Sequence, residues 1–224
     1  MYKLYHQPIC PFSRKIRVLL AAKNLPFELV PENFWERRKE FIAMNTMATI
    51  PVLFDVNNGD VIPCSNIIAQ YLEEKHQDEM SFIGDSLTKR AESRRIEYWF
   101  DHKFYNEVSK TLLNERYFNR FLPGNPPSSS NIITCKHNLE IHLNYMGFLL
   151  SNRKYLVGNE LTIADFAAAG QISTLDYFGD INWRNHNLVK DWYCLVKSHK
   201  SFGSILSDKI PGVMPPVWYN KLDF

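Results

Sequence analysis

Residues 51–74, PVLFDVNNGDVIPCSNIIAQYLEE, decide how the first third of the chain folds. PVLFDV and VIP are apolar runs that flank NNGD, and Asn58-Gly59 is a dipeptide that readily takes the left-handed backbone a hairpin turn needs. Ser65 then stands as the cap of a helix, because its hydroxyl can accept from an amide in the first turn. Ile67, Ile68, Tyr71 and Leu72 give that helix an apolar stripe. The segment therefore reads as strand, strand, helix.

Working outward, YKLYH (2–6) is a short aromatic strand. Residues 12–24 place Ile16, Leu19, Leu20 and Lys23 at helical spacing, with Arg14, Lys15 and Arg17 assigned to the wet side. FELV (27–30) follows the breaker at 24–26 as a second strand, and WERRKEFIAMN (35–45) reads as a second helix. The order βαβαββα makes a small α/β domain over residues 1–77, thioredoxin-like in sequence of elements.

Past the polar stretch 75–86 no strand is convincing. Residues 88–121 read as one long helix with Ile96, Trp99, Phe100, Phe104, Val108, Leu112 and Phe118 near the helical period. PGNPPSSS (123–130) is a loop, and a helix follows over about 132–151. In LTIADFAAAG, Thr162 and Asp165 form a capping box with Leu161 and Phe166 as its staple, and the small residues suit a closely packed helix. A last helix covers 187–199. This all-helical domain spans 88–207, and residues 208–224, with three prolines, form an extended tail.

Composition narrows the function. A net charge of +2 on 224 residues gives no electrostatic case for nucleic acid, and the longest apolar run is too short to cross a membrane. The start MYKLYH has no basic-then-apolar leader, so a cytoplasmic protein is expected. Four scattered cysteines form no CxxC pair and seven histidines no metal spacing, so a metal site is not expected.

TIPVL (49–53), CSNIIAQYLEE (64–74) and LTIADFAAA, in this order and spacing, resemble the glutathione S-transferase superfamily over essentially the whole chain. The resemblance implies that Pro51 is a cis-proline and that the backbone of Ile50 pairs with the cysteinyl part of glutathione. Ser65 and the free amides at its helix start would take the γ-glutamyl carboxylate, since unpaired N–H groups and the helix dipole favour an anion; the plain alternative is that Ser65 only caps. A two-fold homodimer is also implied.

The family activates the glutathione thiol at the end of strand 1 or the start of helix 1. CPFS there looks like its cysteine-type members. At a helix N-terminus near Arg14 and Lys15, Cys10 is expected to ionise readily and to exchange with a disulfide. Ser13 is the competitor, a hydroxyl that would hydrogen-bond a bound thiolate. The third reading gives neither residue any chemistry, Cys10 being a small buried hydrophobe. Tyr98, Trp99 and Tyr105 would line the cleft for an electrophile.

Three departures bear on function. Cys64 stands where the family usually has Glu or Gln for the γ-glutamyl ammonium; a lost charge-assisted hydrogen bond of roughly 1.5–3 kcal/mol weakens glutathione about ten- to hundredfold. Trp35, beside Arg37 and Arg38, is either a protein-contact patch or is pinned over its own sheet. The tail, with Trp218, Tyr219, Asp223 and Phe224, either meets a partner or folds back. FWERRKEF, LDYFGDINWR, VKDWY, SDKIPG and YNKLDF resemble an alphaproteobacterial subgroup of this fold that includes cell-division proteins associated with FtsZ. That resemblance implies partner-binding roles for Trp35 and Asp223.

Overall fold

The computed structural model describes residues 1–77, 80–121 and 128–222; Asp223 and Phe224, and most of the loop at 123–130, lie outside the described residues. Strands β1 (Tyr2–His6), β2 (Phe27–Pro31), β3 (Val52–Asp55) and β4 (Val61–Pro63) form one sheet in the order β2-β1-β3-β4. β1 runs parallel to β2 and antiparallel to β3, and β3 pairs antiparallel with β4. Helices α1 (Pro11–Ala22), α2 (Lys39–Met44) and α3 (Ser65–Lys75) complete the expected βαβαββα order. Gly59 turns the hairpin with φ +80, its amide donating to the Asp55 carbonyl over 2.8 Å.

The helix expected over 35–45 is shorter. Phe34–Glu36 form a single 3₁₀ turn, and Arg37 at φ 49 breaks the ladder before α2 begins. A left-handed residue cannot extend a right-handed helix, and only the short segment after it continues.

The helical half opens with α4 (Leu87–Tyr98), runs on through a π-helical stretch, Trp99–Ser109, and ends as α5 (Lys110–Arg116). The long helix expected over 88–121 is therefore one continuous run with a wider middle, followed by a 3₁₀ turn at Phe118–Arg120. α6 (Ser129–Leu150), α7 (Ile163–Phe178), α8 (Asn187–Lys197) and α9 (Gly203–Leu206) follow. The capping box at the start of α7 is formed: Asp165 accepts from the Thr162 amide at 2.9 Å, from the Leu156 amide at 3.0 Å and from Trp192 Nε1 at 2.9 Å. These bonds hold a carboxylate whose pKa burial pushes up.

α7 is buried along nearly its whole length and α1 lies across it. At Gly170 a Cβ would stand 2.5 Å from the Pro11 carbonyl oxygen, so the small residues there set how closely the two halves approach. This contact overturns the assignment of Arg14, Lys15 and Arg17 to water. All three are buried: the face of α1 away from the sheet is covered by the second half of the chain. Arg14 donates to Ser173 Oγ at 3.1 Å, to Tyr219 Oη at 3.0 Å and to the Pro8 carbonyl at 2.7 Å. Arg17 grips both oxygens of Asp208, at 2.7 and 2.9 Å.

The tail is not extended. Ile210 and Val213 form a bridge, Trp218 Nε1 donates to Asp176 at 3.1 Å, and Tyr219 is buried against Tyr177. Two aromatic rings and Asp208 have partners waiting on α1 and α7, which outweighs the extended preference of its prolines.

Candidate functional site

Three pieces of chain meet beside the first turn of α1. The Ile50–Pro51 peptide bond is cis. Ile50 and Val52 pack in one cluster with Cys10 and Phe41, with Phe12, Tyr5 and Phe34 at its edge. Because Val52 pairs with Pro63 in an antiparallel ladder, the chain on either side brings Pro51 level with Cys64 and the start of α3.

Cys64, not Ser65, is the N-cap of α3, at φ 70 and ψ 130. Positive φ is unfavourable for a residue with a Cβ, and such strain is held only where the surroundings over-determine it. Ser65 is the first residue of the helix, so the expected capping role is corrected. Its hydroxyl instead donates to Asp101 Oδ2, 3.4 Å away on the π-helical stretch. That oxygen is 2.5 Å from Lys15 Nζ, which also meets Glu97 Oε1 at 2.6 Å. Burial works against the lysine's charge, but Asp101 and Glu97 outweigh it and hold its pKa above the ordinary value. Burial likewise raises the pKa of Glu97. The half-buried thiol of Cys64 lies 3.9 Å from Met47 Sδ.

Cys10 sits just before α1 with Pro11 at the first helical position. The residue is 7% exposed, and burial pushes the thiol pKa up. The Ser13 hydroxyl and the amides of Phe12 and Ser13 offset that only in part. The expectation that Cys10 ionises readily is therefore corrected: desolvation of a thiolate costs more than the helix start returns. Ser13 is fully buried, and its oxygen accepts from the Gln7 amide at 3.4 Å. Phe12 packs on Tyr105 with ring centroids 4.6 Å apart, and burial, with Cys10 nearby, raises the Tyr105 pKa to about 12. Of the aromatics proposed to line a cleft, Tyr105 reaches this place. Tyr98 is exposed, stacked on His102, while Trp99 packs on Tyr145.

Trp35 neither covers its own sheet nor stands free. It is half-buried, stacked on Phe121 at 5.0 Å and tilted against Phe118 at 5.8 Å, with Phe34 edge-on against both Trp35 and Phe118. The connection after β2 is thereby bridged by rings to the end of the long helix. Lys15, Glu97 and Asp101 had escaped sequence reasoning. One signal existed: Glu97 and Asp101 are like charges one turn apart among Ile96, Phe100 and Phe104, an arrangement that requires a cation from another element.

Among the described residues, no group of three His, Cys, Asp or Glu is placed to hold a metal ion, and no helix is long and apolar enough to cross a membrane.

A four-stranded mixed sheet with a cis-proline facing a serine-started helix, backed by a helical half, defines the class. The chain belongs to the glutathione S-transferase superfamily. Residues 4–80 match the glutathione S-transferase N-terminal domain family. The chain is 37% identical over 223 residues to FtsZ-localized protein A of Caulobacter vibrioides, covering 99% of this chain and 97% of that one. The crystal structure of a glutathione S-transferase from Rhodospirillum rubrum F11 superposes with a TM-score of 0.95 at 41% identity, each chain covered completely. FzlA from C. crescentus gives 0.95 at 37%, covering 100% of this chain and 99% of that one.

Proposed function

We propose that this protein is a GST-fold cell-division protein that binds FtsZ filaments in the cytoplasm. The observation that carries this reading is the burial of both candidate catalytic residues: Cys10 and Ser13 stand at the family's activating position with almost no exposure. The likeness to FtsZ-localized protein A over nearly the whole of both chains supports it. Trp35, on its bridge of rings, and the tail supply the partner surface, where Met214 is 92% and Val217 78% exposed although the residues around them are anchored. Asp223, which lies outside the described residues, is the other position to which the resemblance gives a partner-binding role. The assembly is a homodimer, as the family's two-fold pairing implies.

A second reading keeps glutathione as a weak cosubstrate for transfer to an electrophile or for thiol exchange. It is favoured by the cis Ile50–Pro51 bond and by Ser65 in the first turn of α3. Here Ile50, Pro51, Cys64 and Ser65 would hold the tripeptide.

Co-sedimentation with polymerised FtsZ tests the first reading. Deleting residues 208–224 would strip Arg14 of Tyr219 and Arg17 of Asp208, so point substitutions are the sounder probe. Trp35→Ala and Asp223→Ala are expected to lower pelleting several-fold, each in a folded protein. Wild-type protein that stays in the supernatant, together with turnover of a generic aromatic electrophile, would favour the second reading instead.

A further inference from the structure

We infer that Asp176 is a positioning residue for the partner-facing part of the tail: its carboxylate holds the Trp218 indole and so presets the direction in which Met214 and Val217 stand out. The inference deepens the filament-binding reading and rests on it.

Residues 210–220, IPGVMPPVWYN, carry no charged side chain. A short proline-rich stretch at a surface has no core of its own, so its shape must come from what it is tied to. The ties lead to the end of α7. Tyr177 Oη accepts from the Ile210 amide at 3.0 Å and donates to the Val213 carbonyl at 3.4 Å, which holds the Ile210–Val213 bridge against the helix. Gly179 caps α7 at φ 71, and its Cβ position lies 3.1 Å from Pro216 Cγ, so the proline rests where a side chain would crowd it. Asp176 Oδ1 then accepts from the Trp218 indole at 3.1 Å. Met214 and Val217, the exposed pair, lie between these ties.

Asp176 is 0% exposed. The same oxygen accepts from Trp183 Nε1 at 3.0 Å, on the 3₁₀ turn Trp183–Asn185. Burial pushes the carboxyl pKa up, and Trp183, Lys197, Trp218 and Tyr193 oppose that. A carboxylate withdrawn from water is costly unless hydrogen-bonded, and the tail supplies one of its donors. Trp218 is therefore held by a charge-assisted bond, which has a direction as well as a strength. It follows Val217 in the chain, so fixing its ring fixes the backbone that presents Val217. A loop already in its binding shape avoids an ordering cost on association.

Trp218→Phe keeps an aromatic ring and removes the N–H; Trp183→Phe does the same to the other donor, on a different element. In the free protein, the Val213 and Tyr219 amides donate to the Ile210 and Pro216 carbonyls. Their hydrogen exchange is expected to be at least tenfold faster in Trp218→Phe and unchanged in Trp183→Phe. Pelleting with polymerised FtsZ is expected to weaken about fivefold in Trp218→Phe and to stay at the wild-type level in Trp183→Phe. Asp176→Asn leaves an acceptor oxygen for both indoles and is expected to retain loop protection and pelleting. Wild-type pelleting by Trp218→Phe, or a loss as large in Trp183→Phe, would overturn the proposal. Wild-type protein that itself stays in the supernatant would remove the filament reading; faster exchange in Trp218→Phe would then still support a loop preset by Asp176, and unchanged exchange would remove that too.

Discussion

The guanidinium of Arg14 donates to the hydroxyl of Tyr219 over 3.0 Å, tying the first helix of the chain to its tail. Both side chains are buried, and Tyr177 packs against both. The bond crosses from the α/β half through α7 to the C-terminus, and it turns a proline-rich segment into part of the core.

Tyr219→Phe keeps the ring and removes the acceptor from a buried cation. Leaving such a donor short of a partner costs about 1–3 kcal/mol. Urea unfolding is expected to show an unfolding free energy lowered by that amount, seen as a lower midpoint with an unchanged slope. An unaltered midpoint would mean that the tail does not depend on Arg14.

Gly170→Ala places a methyl group 2.5 Å from the Pro11 carbonyl oxygen, backbone against backbone. Overpacking of this kind typically costs about 1–3 kcal/mol. Gly147, on α6, has nothing within 4 Å of its Cβ position, so Gly147→Ala is expected to be neutral or to stabilise by up to ~1 kcal/mol through helix propensity. Thermal melts of the pair, one falling and the other steady or rising, separate packing from propensity.

Stability is expected to fall in mild acid because of His6. Burial, then the nearby Arg17 charge, lower its pKa to about 4, with Asp208 opposing. The unfolded chain titrates near 6.5, so between those values it binds more protons than the folded one. The contribution is complete above about pH 6.5 and is lost as the pH falls towards 4, reaching about 3 kcal/mol. His6→Leu is expected to flatten the dependence of the unfolding free energy across this window, and an unchanged profile would assign it to other groups.

Thiol labelling distinguishes the two cysteines of the candidate site. Cys64 is half-buried at the surface end of α3, whereas Cys10 is sealed and its thiol pKa is raised by burial. A thiol-specific reagent at pH 7.5, followed by peptide mass mapping, is expected to modify Cys64 well before Cys10. Faster reaction at Cys10 would restore it as a nucleophile.

Much of the site was legible in local chemistry. The hairpin around Asn58-Gly59 and the Thr162–Asp165 box depend on neighbours within a few residues, whereas the approach of the 50–51 and 64–65 segments was implied by the family resemblance. The cations of α1 were misjudged because helical periodicity marks an apolar stripe and leaves the rest to solvent. That holds only until another element covers the polar face. Arg14, Lys15 and Arg17 find partners at Tyr219, Asp101 and Asp208, too far along the chain for any spacing rule to connect.

By itself, then, the amino-acid order determined the βαβαββα half and the helical half behind it, since turns, caps and amphipathic stripes are short-range physics, and its motifs carried the resemblance to the superfamily. Only the tertiary structure decided that Cys10 is too desolvated to ionise easily, that Asp101 stands at Ser65, and that Trp35 and the tail lie against the other half of the chain. Each of these depends on which surfaces exclude water from which charges, and that is settled when distant segments pack.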